Sequence, residues 1–232
     1  MAELWTVTEG DLSGCPGPTR TADRTGDLMG LIAPPQAPDR DWPDTATDLP
    51  DDYQHFLSVY GVGTVDLFLD LLTPERSSGQ TRVFWKVVDQ ICTGSWMPLV
   101  IPGITNGGDP ESLPQELIAQ LRAADRVQVW AVTDNGDTCL WLQPDADRPE
   151  QQVVITDSKM LDFVTYDLGI TELLYALLSG HITCDVFPAD FPGVCGLPVR
   201  RTDPEITALL SGEHAFLTYD QARRVSELWE NP

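Results

Sequence analysis

RVQVWAVTDNGDTCLWLQ, residues 126–143, is the stretch on which the fold turns. Two runs of Val, Trp, Ala, Thr, Cys and Leu flank Asp134-Asn135-Gly136-Asp137. β-Branched and aromatic residues fit a pleated, half-buried surface. Asn-Gly is the favoured pair for a two-residue type I′ turn, because both central positions need positive φ. The stretch therefore predicts an antiparallel hairpin with Asn135 and Gly136 at its tip. A strand signal at Gln152–Thr156 follows across a polar Asp/Pro loop, and a shorter one lies at Phe163–Tyr166. Strands come clustered, without regular alternation with helices. That argues an α+β fold with a mainly antiparallel sheet.

Upstream, Asp48 can cap a helix, Pro50 suits its first turn, and Asp51 and Asp52 favour the positive end of the helix dipole. Tyr53, Phe56, Leu57 and Tyr60 then recur at helical spacing, and Gly61 is a fitting stop. The next piece, Thr64–Thr73, fits two patterns. Val65, Leu67, Leu69 and Leu71 alternate as in a strand, while Val65, Phe68, Leu69 and Leu72 make a helical stripe. Pro74 is expected to end it. Further helices are predicted at Thr81–Thr93, Gln115–Ala124, from Thr171 (as cap) to Gly180, and at Asp220–Trp229. Residues 1–47 are rich in Pro and Gly and read as an irregular arm with one short helix around Thr25–Leu31. The chain thus divides into an arm (1–47), an α+β domain (48–188) and a C-terminal extension with a last helix (189–232).

The formal net charge is −22, from 36 acids against 14 Lys and Arg. Such a field repels nucleic acid and anionic membranes, whose recognition rests on clustered Lys and Arg. It attracts basic partners and speeds their encounter, although an acidic surface also serves plain solubility. No apolar run reaches the roughly 18–20 residues that span a bilayer. The N-terminus lacks a basic stretch followed by an apolar one, so a cytoplasmic location is expected. Five Cys carry no CxxC spacing and predict no disulfide framework. Cys139 and Cys92 read as small buried apolar groups.

Motifs for catalysis are missing from the sequence. The three His share no HxH or HxxxH spacing, and there is no GxSxG, HExxH or Walker-type loop. His181, Cys184 and Cys195 supply too few ligands for a closed zinc site. Asp134 and Asp137 resemble a fragment of a calcium loop, but the alternating acids and closing Glu of an EF-hand are missing, so turn formation is the better account. Asp51 and Asp52 are adjacent on a helix and point apart, which rules out an acid/base dyad. No enzyme activity, cofactor or metal is expected.

Four segments together resemble the SUKH superfamily, the Smi/Knr-type domains. LPDDYQHFLSVYGVGT is similar to that family's entry helix and glycine turn. VTDNGDTCLWL resembles its central hairpin, QQVVITDS its next strand, and FVTYDLGITELLYALLSGHITCDVFP its closing helix and loop. The resemblance runs from about Leu49 to Pro188. It implies a single α+β domain with a curved, mainly antiparallel sheet flanked by helices, and it assigns Thr64–Leu72 to a first strand. It also implies a non-catalytic protein. Bacterial members are mostly cytoplasmic immunity proteins that neutralise a cognate polymorphic toxin, often a nuclease; fungal relatives act as regulatory adaptors. The arm, the segment Ser95–Pro114 and the tail after Pro188 depart from the family pattern. On this reading a basic toxin is bound through exposed acids, with Asp51, Asp52, Asp66, Asp70, Asp134 and Asp137 as the candidate contacts. The alternative is a non-catalytic adaptor for an endogenous partner.

Overall fold

A computed structural model describes residues 23–38, 49–92, 115–124, 126–143, 151–160, 162–193, 204, 210 and 212–230. Seven strands form one sheet in the order β6-β5-β4-β3-β2-β1-β7, with every neighbouring pair antiparallel. They are β1 Gly63–Val65, β2 Leu69–Leu71, β3 Val127–Thr133, β4 Thr138–Leu142, β5 Gln152–Thr156, β6 Phe163–Tyr166 and β7 Phe216–Thr218. Among the described residues six helices accompany them: α1 Thr25–Leu28, α2 Asp51–Tyr60, α3 Pro74–Cys92, α4 Gln115–Ala123, α5 Ile170–Leu178 and α6 Tyr219–Glu230. The α+β class and the antiparallel sheet expected from the sequence are therefore present.

Alternation along the strands sends apolar residues to both faces. Trp130, Cys139, Trp141, Val153 and Ile155 meet α1, α2 and α5 on the first face. Val129, Leu140, Leu142 and Val154 meet Phe84 and Val88 of α3 and Leu117 and Leu121 of α4 on the second. There, Leu217 of β7 also packs with Val225 of α6. Burial on both faces explains why these strands read as nearly continuous apolar runs.

On the first face α2 crosses the strands. Tyr53 meets Trp130 of β3 edge-on, and Tyr60 lies against Phe216 of β7. The register of β3 shifts between Val129 and Ala131. A bulge frees backbone groups that must find partners elsewhere. Here Ser77 Oγ donates to the Val129 carbonyl at 2.5 Å, and the Val129 N–H reaches Thr81 Oγ1 at 2.9 Å. From the other face, the Tyr53 hydroxyl lies 3.1 Å from the Trp130 carbonyl and 3.2 Å from that of Leu72. Helices on both sides thus hold the bulge.

Several local expectations are corrected. Asn135 does not take positive φ; Gly136 does, at 87°. The Gly136 N–H bonds the Thr133 carbonyl and the Thr133 N–H bonds that of Asp137, so the tip is a three-residue loop with a glycine bulge, not type I′. The segment Thr64–Leu72 is neither one strand nor a helix. It is the tight hairpin β1–β2, reversed at Asp66 and Leu67 with φ of 53° and 56°. Strand β2 ends at Leu71, before Pro74, and Pro74 opens α3, so the helix expected from Thr81 starts earlier, as fits a residue with no N–H to donate at a helix start. Helix α2 begins after Pro50; Asp48 lies outside the described residues.

Both flanking segments contribute to the core. Leu28 and Ile32 are fully buried with α2 and α5, and Tyr60 donates to the Ile32 carbonyl at 2.9 Å. Strand β7 pairs with β1 across a close approach: a Cβ at Gly63 would stand 2.1 Å from the Leu217 carbonyl oxygen.

Candidate interaction surface

The six candidate acids do not form one surface. Asp66, Asp134 and Asp137 sit at the turn end of the sheet, because the β1–β2 and β3–β4 connections leave the meander on the same side. Asp70, in β2, faces the second side of the sheet close to that end. Asp51 and Asp52 open α2 on the first side.

Three of the six are buried, which corrects the expectation that they face outward. Asp66 is a structural hub. Its carboxylate accepts the Ala215 N–H at 2.6 Å and the Gly193 N–H at 2.9 Å, and lies 3.2 Å from His214 Nδ1. Burial pushes its carboxyl above the usual range, against those hydrogen bonds. Asp137 accepts from Thr133 Oγ1 at 2.8 Å and from the Ser158 N–H at 3.1 Å, so it ties the β3–β4 tip to the β5–β6 loop. Asp52 accepts both the N–H and the hydroxyl of Thr171, at 2.9 and 3.0 Å. The acid of one helix thus caps the start of another, and Thr171 is not itself the cap. Burial raises the Asp52 carboxyl despite these bonds.

Asp70 is half-buried. Burial raises its carboxyl, Asp134 adds to the effect, and Thr64 and Arg76 oppose it. Only Asp51 and Asp134 of the six are exposed. Pattern places an acid on an element but not the partner that covers it, and Asp52 and Asp66 are covered by residues more than a hundred positions away.

The His residues lie apart. His55 is exposed on α2 and pairs with Asp23 at 2.5 Å. Burial alone would raise the Asp23 carboxyl, but bonds from Thr25 and His55 outweigh it and hold it below the usual range. His181 follows α5 and its ring meets Ser179 Oγ. Among the described residues no three His, Cys, Asp or Glu gather to hold a metal. Cys139 is fully buried.

Charge is divided by the sheet in a way the sequence did not reveal. On the layer of α1, α2, α5 and their connections, Asp23, Asp27, Asp51, Asp167, Asp185 and Asp190 are exposed. Arg24 is the one Lys or Arg of that layer among the described residues, and it pairs with Asp27 at 2.9 Å. The opposite layer carries exposed Arg76, Arg82 and Lys86 on α3, Arg122 on α4, and Arg223 and Arg224 on α6, among acids of similar number. Among the described residues one face is therefore acidic and the other mixed. Asp51 belongs to the acidic face; Asp134 projects from the turn end between the two.

No protein-family model, curated protein or solved structure matches the chain. No helix among the described residues is long and apolar enough to cross a membrane.

Proposed function

We propose that this chain is a SUKH-like immunity protein that binds a basic toxin domain and blocks it sterically. The observation that carries the reading is the acidic layer of α1, α2 and α5, within a charge of −22. A nuclease must approach phosphate and is basic for that reason. An acidic face competes for the same surface, steers rapid association and occludes the cleft. The four motif resemblances supply the toxin-neutralising role, and the curved sheet of that family is part of the proposal. The contact set moves with the geometry: Asp51 stays, Asp23, Asp27, Asp167 and Asp185 join it, and the buried Asp52, Asp66 and Asp137 and the half-buried Asp70 leave it. Asp134 stays as a contact at the turn end.

The test is co-expression with the neighbouring open reading frame of the native host. Rescue of growth by the wild-type chain is expected, together with a complex whose association rate falls about tenfold or more between low and moderate salt. Charge reversal of Asp23 and Asp51 to Lys should slow association, whereas reversal of Asp89 on α3 should not. A salt-insensitive rate would remove the steering argument. Stoichiometric capture of a housekeeping regulator, with no rescue from any toxin, would replace immunity by the adaptor role.

A further inference from the structure

The two edges of the sheet are finished differently. At β7 the outward N–H of Thr218 donates to Gln221 Oε1 at 2.9 Å, so the start of α6 closes that edge. At β6 no described strand lies outside. The phase of its ladder follows from one bond: the Asp157 N–H donates to the Asp162 carbonyl at 3.0 Å. Bonded and non-bonded pairs alternate in an antiparallel ladder. With Ile155 opposite Val164 and Val153 opposite Tyr166, those pairs bond inward. Phe163 and Thr165 therefore turn their N–H and carbonyl groups outward, on a strand whose first three residues are only half-buried.

Acids bracket this edge. Asp162 precedes β6 and Asp167 follows it, and both are exposed. Asp167 accepts from Gln152 Nε2 at 2.7 Å and keeps acceptor capacity, since a carboxylate offers about four lone-pair sites. Two copies pairing antiparallel through Phe163 and Thr165 would bring the Asp162 end of one against the Asp167 end of the other. Like charges meeting at both ends disfavour that pairing. A strand with Lys or Arg at each end meets complementary charge instead.

We propose that the outer edge of β6 is a strand-addition site for an extended basic segment of a partner protein. Main-chain bonds to Phe163 and Thr165 supply the pairing, and flanking cations meet Asp162 and Asp167. The proposal rests on the reading that the partner is basic, and it names how one segment of that partner is held.

The experiment uses the full chain and two blocked synthetic peptides, Lys-Val-Thr-Val-Thr-Lys and its counterpart with Glu at both ends. Backbone amide exchange is followed by NMR. The expected result is slowed exchange at Phe163 and Thr165 with the Lys peptide only. Asp162→Lys with Asp167→Lys should weaken the Lys peptide roughly tenfold and admit the Glu peptide. Thr165→Pro removes an outward N–H without touching the β5 ladder and should abolish protection in a folded chain. Equal protection by both peptides would overturn the charge selection. Protection by the Lys peptide confined to the α1–α2–α5 face would overturn the edge site while leaving a basic partner in place. No protection by either peptide would overturn strand addition itself, whereas the toxin reading is judged separately by rescue.

Discussion

Asp66 offers the sharpest test of how this fold is held. It is a non-glycine residue at φ 53°, fully within the protein, and its carboxylate is the meeting point of β1–β2, the 190s loop and the approach to β7. Asp66→Ala removes three bonds. The Ala215 N–H is buried and left without its partner, at a cost of about 1–3 kcal/mol. The Gly193 N–H is only part-buried and water can replace some of its loss. Alanine at positive φ adds about 1 kcal/mol, because Asp tolerates that conformation and Ala does not. The expected total is roughly 3 kcal/mol. Asp66→Asn keeps an acceptor for Ala215 and tolerates the backbone, so about 1–2 kcal/mol is expected. Asp66→Gly loses the bonds but not the backbone freedom, and should lie about 1 kcal/mol above Ala. Urea unfolding at pH 7, with the slope m checked for constancy, reads the order wild type, Asn, Gly, Ala. An Ala variant within about 0.5 kcal/mol of wild type would refute the hub. A Gly variant less stable than Ala would refute the backbone part.

Three other outcomes follow from the same structure. Burial raises the carboxyls of Asp52, Asp66, Asp70 and Glu172, so the folded state holds protons that the unfolded chain has released. The stability these groups contribute is present below the unfolded value and lost as pH rises through the raised one. Urea midpoints should therefore climb as pH falls from neutrality toward the ordinary carboxylate range, helped by relief of the −22 charge, with Asp23 working the other way; a midpoint that falls steadily over that window would contradict this. Gly63→Ala should cost about 2–4 kcal/mol or release β7, since the added carbon meets backbone that cannot step aside; amide exchange at Leu217 reports which. Tyr53→Phe should cost about 1 kcal/mol by urea unfolding, because the buried hydroxyl serves the Leu72 carbonyl as well as the Trp130 carbonyl, and only the latter keeps another donor, the Leu72 N–H at 3.0 Å.

Much of the frame is legible without coordinates. Residues close in sequence decide it: the stripe of Tyr53, Phe56, Leu57 and Tyr60, the Gly61 stop at φ 74°, and the alternation on either side of Asn135-Gly136. These are signals of local period and backbone freedom, and they gave α2, β3, β4, β5 and the class of the fold. The turn at Asp66-Leu67 carried no such signal. Asp66 tolerates positive φ but Leu67 does not invite it, and what stabilises the turn there is the Asp66 contact to Ala215, 149 residues away. Strand β7 was missed for a related reason: three residues are too few for a pattern, and only the groove beside Gly63 makes them a strand.

The candidate surface divides in the same way. Sequence by itself determined that the protein is strongly acidic and that Asp51 and Asp134 sit where water reaches, at a helix start and a loop tip. Only the tertiary structure decided that Asp52, Asp66 and Asp137 are spent on internal hydrogen bonds, and that the exposed Lys and Arg of the described residues lie away from the α1–α2–α5 layer and leave its acids unbalanced. Charge is a sum over residues and can be read along a chain. Burial is a property of pairs brought together from distant positions, and it exists only once the chain has closed on itself.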